Sequence, residues 1–422
     1  YNYQILLECA GSNTDRIRRA LGQALRANPQ LMAKFGVDST GRFTQTFPIS
    51  AIDMDEISIH EVASAQEARK ICWMKAAVPF NLEEGPAIAV DEIRINGYST
   101  WFVLTMNEIL IDGWGAMKFM EQLISLFECR NMDDQEIEVK TAMTSALEYF
   151  QHLSKPEEIS AEAREFWSKS LDGVKSCFPL RDTLNSSCDP YAASVIEVSL
   201  DDEATAEIRS TAHALSTSPF AVFVAAYSLA LAAVSDQHDF VVGAPVAGRN
   251  DEYEIGVPTL MLNMIAIRTR IDVEKKISDT VRSMISNVTE AVSFGDSVFS
   301  KVVSEFADHT NEDPLFSTMV NMLTYPSLEF WDGDRSLHLT ELNTGFTKYD
   351  ASLYIQRHGE DYTLQLAYKV AYVTPERANK VLALTAWFLT SDWLSGKTTV
   401  ANAIKTALND CDTSQITMLK SY

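Results

Sequence analysis

The side chains best suited to acid–base or covalent chemistry are dispersed along this chain. Its seven histidines are His60, His152, His213, His238, His309, His338 and His358. None falls in HxxxD or HExxH spacing, so neither a histidine base motif nor a histidine zinc site is supported, and each reads as a surface or core residue. The six cysteines, Cys9, Cys72, Cys129, Cys177, Cys188 and Cys411, form no CxxC pair and no Cys/His cluster with zinc spacing. In a chain of this size they read as reduced thiols, several of them in core helices. No GxSxG elbow is present to seat a serine nucleophile. Gly243-Ala244-Pro245-Val246-Ala247-Gly248 lacks the Lys-Ser/Thr pair of a phosphate loop. One polar stretch interrupts an otherwise apolar run: Asn107-Glu108-Ile109-Leu110-Ile111-Asp112-Gly113 follows directly on Trp101-Phe102-Val103-Leu104-Thr105.

The elements around that stretch follow from periodicity. Residues 87–95 and 99–106 read as paired strands about the turn signal Asn96-Gly97, and a helix fits 114–129. Upstream, 1–9 alternates like a strand. Ile17, Leu21, Ala24 and Leu25 sit at helical spacing in 13–27, with Ser12 or Asn13 as the cap candidate and Asn28-Pro29 as the stop. Short strands fit 31–36 and 42–47, and a helix fits 63–77. A helical stretch covers 143–173, with the linker signal Lys155-Pro156-Glu157-Glu158 inside it. Residues 174–190, with Ser186-Ser187 and Asp189-Pro190, lack periodicity, and the lobe boundary is placed there, between 1–178 and 190–422. Beyond it, strands fit 193–199, 240–243, 260–270, 315–323, 337–342, 350–357 and 362–369. Helices fit 202–214, 218–234, 275–292, 296–306 and 374–391, with a short tail helix. Phe330-Trp331 beside Pro326 reads as loop packing. The irregular alternation indicates a mixed α/β architecture.

Size and charge narrow the class. A chain of 422 residues, 46% hydrophobic, exceeds one ordinary core, since single cores stop growing at about 250–300 residues; two lobes are expected. The net charge is −23, from 58 acidic and 35 basic residues, with no polybasic run. Nucleic acid and anionic membrane surfaces are therefore disfavoured as partners, and the charge itself reads as solubility. The first residues lack a basic n-region and do not read as a signal peptide. No apolar run approaches the roughly 18–20 residues of a membrane span, and a cytoplasmic location is expected.

Several stretches, in order, resemble condensation domains of nonribosomal peptide synthetases. Pro79-Phe80-Asn81-Leu82 with Gly85-Pro86 is similar to the family's PFDL…GPLLRV. Phe166-Trp167 with Leu171 is similar to its YW…L helix. Residues 239–250, Asp-Phe-Val-Val-Gly-Ala-Pro-Val-Ala-Gly-Arg-Asn, resemble VVVGTPVAGRN. Ile255-Gly256 and Asn263 fall where the family has IG…FVNT, Pro314-Leu315-Phe316 where it has PLFQV, and Tyr349 to Leu353 where it has FDLTL. The resemblance spans nearly the whole chain. It implies two lobes, each like chloramphenicol acetyltransferase, packed as a V-shaped pseudo-dimer around a central tunnel whose floor carries the motif HHxxxDG. Substrates would arrive as thioesters on the phosphopantetheine arms of peptidyl or aminoacyl carrier proteins, with no bound cofactor and no metal. Asn263 is a possible tunnel-lining residue.

In the motif, Asp112-Gly113 and the following Trp114 are kept, whereas Asn107 and Glu108 occupy the two histidine positions. The resemblance implies that Asp112 pairs with Arg249 of the GRN segment as a structural bridge between the lobes. It places position 108 where an imidazole would position or deprotonate the acceptor amine, work suited to a pKa near neutrality. An exposed glutamate titrates near 4.3 and is a poor base unless burial raises it. Glu108 with Asn107 is therefore either a retuned base or amine anchor, or the remnant of a site that has lost catalysis. Other departures are Gly115 for the expected serine, Ala89 for an arginine, and Met261-Leu262-Asn263-Met264 for FVNT; Asn107 also breaks the DxxxxD of heterocyclization domains. Three readings stand: an atypical condensation domain making amide bonds or performing a variant step; a noncatalytic X- or interface-type domain recruiting a tailoring oxygenase or hydroxylase or a carrier protein; and a free-standing acyltransferase using coenzyme A thioesters.

Overall fold

A computed structural model describes residues 2–10, 14–47, 52–129, 131–152, 159–182, 188–249, 251–306, 314–323, 330–331, 337–342, 344–359, 361–391 and 397–419. The cap candidates Ser12 and Asn13, the 155–158 linker signal, Ser186-Ser187, Asn250, His309 and Pro326 lie outside these residues.

The first half contains β1 (Asn2–Ala10), α1 (Thr14–Ala27), β2 (Lys34–Val37), β3 (Phe43–Thr46), β4 (Ser58–Val62), α2 (Ala65–Ala76), β5 (Ile88–Ile95), β6 (Ser99–Asn107), α3 (Gly113–Glu128), α4 (Met132–His152) and α5 (Ala161–Leu171). The second half contains β7 (Ala193–Ser199), α6 (Asp202–Ala214), α7 (Pro219–Ser235), β8 (Asp239–Val246), α8 (Glu252–Ile255), β9 (Asn263–Arg270), α9 (Ile277–Ser293) and α10 (Phe299–Phe306). It continues with β10 (Thr318–Met322), β11 (Phe330–Trp331), β12 (Leu337–Leu342), β13 (Ala351–His358), β14 (Asp361–Lys369), α11 (Pro375–Leu389), α12 (Val400–Asp410) and β15 (Thr417–Leu419).

Two large sheets organise the molecule. One has the order β11-β12-β1-β6-β5-β4, and the other β15-β7-β14-β13-β10-β8-β9. Each mixes parallel and antiparallel pairs: β4 runs parallel to β5, and β10 runs parallel to both β8 and β13. Each sheet backs its own core. In the first, Ile5, Leu7 and Cys9 of β1 and Phe102, Leu104 and Met106 of β6 pack against α1 and α3. The opposite face, with Leu6, Trp101 and Val103, is covered by Ala68 and Cys72 of α2. In the second, α7 is buried almost all round, from Ala221 to Ala232, which is why its sequence shows an apolar run instead of a stripe. The two sheets, each backing its own main core, are the two lobes expected from the chain's length.

Core membership and chain order part company in two places. Ile159, Ala163, Trp167, Leu171, Val174 and Leu180 pack into the second core, because α5 presents its apolar stripe to that lobe. Conversely, β11 and β12 return from the second half and pair into the first sheet, with β12 antiparallel to β1. Phe330-Trp331, expected as loop packing, form the edge strand β11 opposite Leu339 and His338. The 143–173 stretch is two helices, and β4 is a strand that its polar Ser58-Ile59-His60-Glu61-Val62 pattern did not announce. All six cysteines are free thiols. Among the described residues no single helix is long and apolar enough to cross a membrane.

Gly243 shows how tightly the second sheet is packed. It lies in β8 opposite Met319 of β10, and a Cβ at this position would overlap the ring of Phe316. Overpacking of a dense core costs about 1–3 kcal/mol. Gly243→Ala should lower the melting temperature measured by calorimetry, and adding Phe316→Leu should restore part of the loss. An unchanged melting temperature in the single variant would contradict this packing.

Candidate functional site

β6 ends at Asn107, and the chain turns there because the Asn107 side chain substitutes for a backbone acceptor. Its Oδ1 accepts from the Ile109 amide at 3.1 Å, and its carbonyl accepts from the Leu110 amide at 3.0 Å. The Asn107 amide donates to Ala87 at 2.8 Å, so the Gly85-Pro86 segment flanks the turn. Leu110 and Ile111 then dive into the first core, leaving Glu108 at the crest of the turn. Asp112 follows in extended conformation and caps α3, its Oδ1 accepting from the Gly115 amide at 2.7 Å. A carboxylate here also faces the positive end of the helix.

The other oxygen of Asp112 joins the lobes. Oδ2 accepts from Arg249 Nη1 at 2.8 Å, from the Met261 amide at 2.8 Å and from the Leu262 amide at 3.0 Å. The two side chains are 4% and 3% exposed, so this is a fully buried ion pair. Arg249 Nη2 donates to the Thr259 carbonyl at 2.9 Å. Around this junction the 255–262 segment is stitched to the first lobe along its length. Trp114 Nε1 donates to the Ile255 carbonyl at 3.2 Å, Gln122 to Gly256 at 3.3 Å, Gln30 to Pro258 at 3.1 Å, and the Leu260 amide to Leu110 at 3.1 Å. Gly115 and Gly248 make the close approach possible. A Cβ on Gly115 would stand 2.7 Å from the Thr259 carbonyl oxygen, and one on Gly248, whose φ is +54°, would overlap the Met261 carbonyl.

Glu108 is exposed on this turn near the meeting of the two lobes. Tyr349, Lys348 and Tyr354 of the second lobe and Glu341 of β12 are within its electrostatic reach. On β13, Leu353 and Ile355 enter the core, so alternation sends Ser352 and Tyr354 to the other face. Glu341 is paired with Ile5 of β1, and Tyr3, two residues away, is paired with Met106 of β6. Tyr3, Glu341 and Glu108 thus line one end of the first sheet. Water reaches both carboxylates, yet protein surrounds them on the larger scale. Burial raises the Glu108 pKa, and Lys348 opposes the rise. Burial likewise pushes Glu341 up to about 7, a Tyr3 hydrogen bond opposing and the Glu108 charge adding. Tyr349 is pushed up to about 12 by burial and by Glu108.

The residues singled out in sequence separate into two groups. Asn107, Glu108, Asp112, Gly113, Trp114 and Arg249 come together at the lobe junction. Asn263 stands at the start of β9, where its Nδ2 donates to the Gly295 and Ser297 carbonyls at 2.7 Å each and its Oδ1 accepts from the Phe299 amide at 3.2 Å. Its side chain ties β9 to α10 within the second lobe. Glu341, Tyr3, Lys348 and Tyr354 were not singled out. Among the described residues no group of His, Cys, Asp and Glu could hold a metal ion. A cavity of about 200 Å³ lies elsewhere, lined by Ser170, Arg268, Arg270, Ser283, Met284 and Asn287. Its Arg268 is already committed, through two 2.7 Å bonds to Asp239.

Removing one partner of a buried pair strands the other, which costs about 3–5 kcal/mol. Asp112→Ala and Arg249→Ala should each lower the melting temperature clearly. Asp112→Ala should do so more, because it also frees the Gly115, Met261 and Leu262 amides. Gly115→Ser, which installs the serine expected from the family pattern, should destabilise as well. Equal melting curves for the wild type and Asp112→Ala would contradict the junction.

The comparisons identify the fold and the family. The condensation-domain family pattern matches residues 1–382. A plipastatin synthase polypeptide from Bacillus subtilis (strain 168) is 22% identical over 380 residues, 89% of this chain and 14% of that protein. A linear gramicidin synthase polypeptide from Brevibacillus parabrevis is 24% identical over 298 residues, 68% of this chain and 6% of that protein. The chain thus spans a small part of these relatives. Among solved structures, the condensation domain from the Monacolin K polyketide synthase superposes with a TM-score of 0.70 at 16% identity, covering 95% of this chain and 94% of that one. The X-domain from teicoplanin biosynthesis superposes with a TM-score of 0.71 at 13% identity, covering 97% of this chain and 92% of that one. The chain belongs to the condensation-domain family of the nonribosomal peptide synthetases.

Proposed function

We propose that this domain joins an acyl or peptidyl thioester, presented on a carrier protein's phosphopantetheine arm, to an acceptor amine, with Glu108 as the proton acceptor. The observation that carries this reading is the position of Glu108: it stands on the turn beside the Asp112–Arg249 lobe junction, facing the charge of Lys348 from the second lobe, with its pKa raised by burial. A carboxylate becomes an effective base as its pKa climbs toward the working pH. Ionised, it also attracts an incoming ammonium. Asn107 shapes the turn that presents Glu108, and the Asp112–Arg249 pair fixes that turn between the lobes. The acceptor ammonium gives one proton to Glu108. The freed nitrogen lone pair forms the C–N bond, the C–S bond breaks with its electrons going to sulfur, and the surplus proton on nitrogen neutralises the thiolate. The products are an amide and a free thiol.

The test loads a donor carrier with an aminoacyl thioester, offers an aminoacyl acceptor carrier, and follows product with wild-type domain, Glu108→Gln and Glu108→Ala. Loss of general-base catalysis lowers the rate by about 10²–10⁴-fold, and both variants should fall in that range while keeping wild-type melting temperatures. The wild-type rate should rise with pH through the raised Glu108 pKa, because only the ionised carboxylate accepts a proton. No turnover with any cognate carrier pair, together with binding of a tailoring oxygenase or hydroxylase, would replace this reading with recruitment.

A further inference from the structure

We propose that Lys369 and Arg181 form a binding site for a small oxyanion, a carboxylate or phosphate group, on the second lobe at the end of β14. The inference does not depend on the role of Glu108.

Strand register sets the site. Ala351 of β13 lies opposite Tyr368 of β14, and both belong to the second core. The ladder runs one step further, where the Lys369 amide donates to the Asp350 carbonyl at 2.9 Å. Side chains alternate along a strand, so Asp350 and Lys369 turn together to the face away from that core. Asp350 is 2% exposed and Lys369 8%. Arg181, from the segment before β7, reaches the same carboxylate. Its Nε donates to Oδ2 at 2.8 Å and its Nη2 to Oδ1 at 3.3 Å. Aromatic rings wall the cluster. The Arg181 guanidinium stands 3.8 Å from the centre of the Phe178 ring and 4.6 Å from that of Tyr372. The Lys369 ammonium stands 5.3 Å from the centre of the Tyr191 ring and 5.5 Å from that of Tyr372.

Two cations thus share one carboxylate, and the forked geometry spends both of its oxygens on Arg181. Among the described residues the Lys369 ammonium makes no hydrogen bond and no ion pair; the two tyrosine rings are its contacts. Asp182, beside Arg181, is committed to Arg377 at 2.9 Å and to the Thr374 hydroxyl at 2.8 Å. Burying an ammonium without a partner is unfavourable, and ring faces offset only part of that. Burial accordingly lowers the Lys369 pKa, with Asp350 opposing and Arg181 adding to the effect. The cluster is nevertheless open to a ligand. Lys369 Nζ keeps contact with solvent although the residue is buried, the Arg181 side chain is 35% exposed, and Arg181 Nη1 makes no bond among the described residues. Ammonium and guanidinium donate and never accept. A cation would be repelled here, and a neutral acceptor would leave the charge unbalanced. An oxyanion satisfies the unspent donors and supplies the missing negative charge. It would also brace the chain's return from the first sheet, because the Thr347 amide donates to the Tyr191 carbonyl at 3.0 Å and Phe346 stacks on Trp73 of α2.

The test follows melting of the intact domain by calorimetry at fixed ionic strength, with acetate or inorganic phosphate replacing chloride in steps. The wild-type melting temperature should rise and saturate, because a ligand that binds only the folded state stabilises it. The anion that saturates at the lower concentration identifies the group as carboxylate or phosphate. Phosphate also raises melting temperatures non-specifically, so the comparison with Lys369→Met carries the result. That variant keeps the stem and removes the charge. It should weaken binding by about tenfold or more. In chloride alone it should melt at or above wild type, since an unpaired buried charge has gone. Lysine labelled with ¹³C at Cε gives a reading independent of melting. One signal, absent from Lys369→Arg, should move with anion concentration and titrate at higher pH in its presence, because an anion favours the ammonium. A rise in melting temperature that is the same in Lys369→Met would mean an adventitious ion only and would overturn the site. So would a Lys369 signal that ignores both anions. Lys369→Met melting well below wild type in chloride would overturn it too, since the rings alone would then balance the ammonium.

Discussion

The buried carboxylate of Asp112 is the point on which both lobes turn. One side chain accepts from an arginine, from two backbone amides of the second lobe and from the first turn of α3. An isolated charge at 4% exposure would be strongly unfavourable. Four donors converging on two oxygens offset that penalty, and charge-assisted bonds of this kind are among the strongest a protein makes. Losing this junction would separate α3 from the 255–262 segment and leave the neighbouring bonds from Trp114, Gln122 and Gln30 without a fixed target.

That junction explains how the ends of one short motif could follow different constraints. Asp112-Gly113-Trp114 is held by contacts that concern the fold: a cap, an interlobe ion pair and an indole donor. Asn107 and Glu108, five and four residues earlier, make no bond across the lobes among those described. Asn107 is spent on its own turn, and Glu108 is exposed at its crest. Position 108 can therefore change residue type while the loop keeps its shape. Gly115 fits the same logic. With the segment at Thr259 drawn in so closely, a side chain at 115 has no room, so glycine and the tight seam accompany one another.

Much of this was legible in the sequence, and the illegible part has a physical pattern. Helices with apolar stripes and strands with alternation were readable because burial imposes the period, as at Ile17, Leu21, Ala24 and Leu25 of α1. The lobe bridge was readable through the resemblance, since Asp112 and Arg249 sit in recognisable segments 137 residues apart. Strand β4 was not, because Ser58, Ile59 and Glu61 at the edge of the first sheet are exposed and exposed edges need no alternation. The crossing of β12 into the first sheet was also hidden, because β12 lies among segments that build the second core on both sides of it and pairs with β1 at the far end of the chain.

The site also bears on why a glutamate can stand where the family pattern has histidine. An imidazole is near neutrality without assistance. A carboxylate is not, and it must be lifted by its surroundings through some combination of depth and like charge. Around position 108 the surrounding protein supplies the lift, while Lys348 opposes it. Under the proposed reading this exchange alters what the site attracts: a neutral imidazole draws a cation only weakly, whereas an ionised Glu108 draws an ammonium directly to the group that takes its proton.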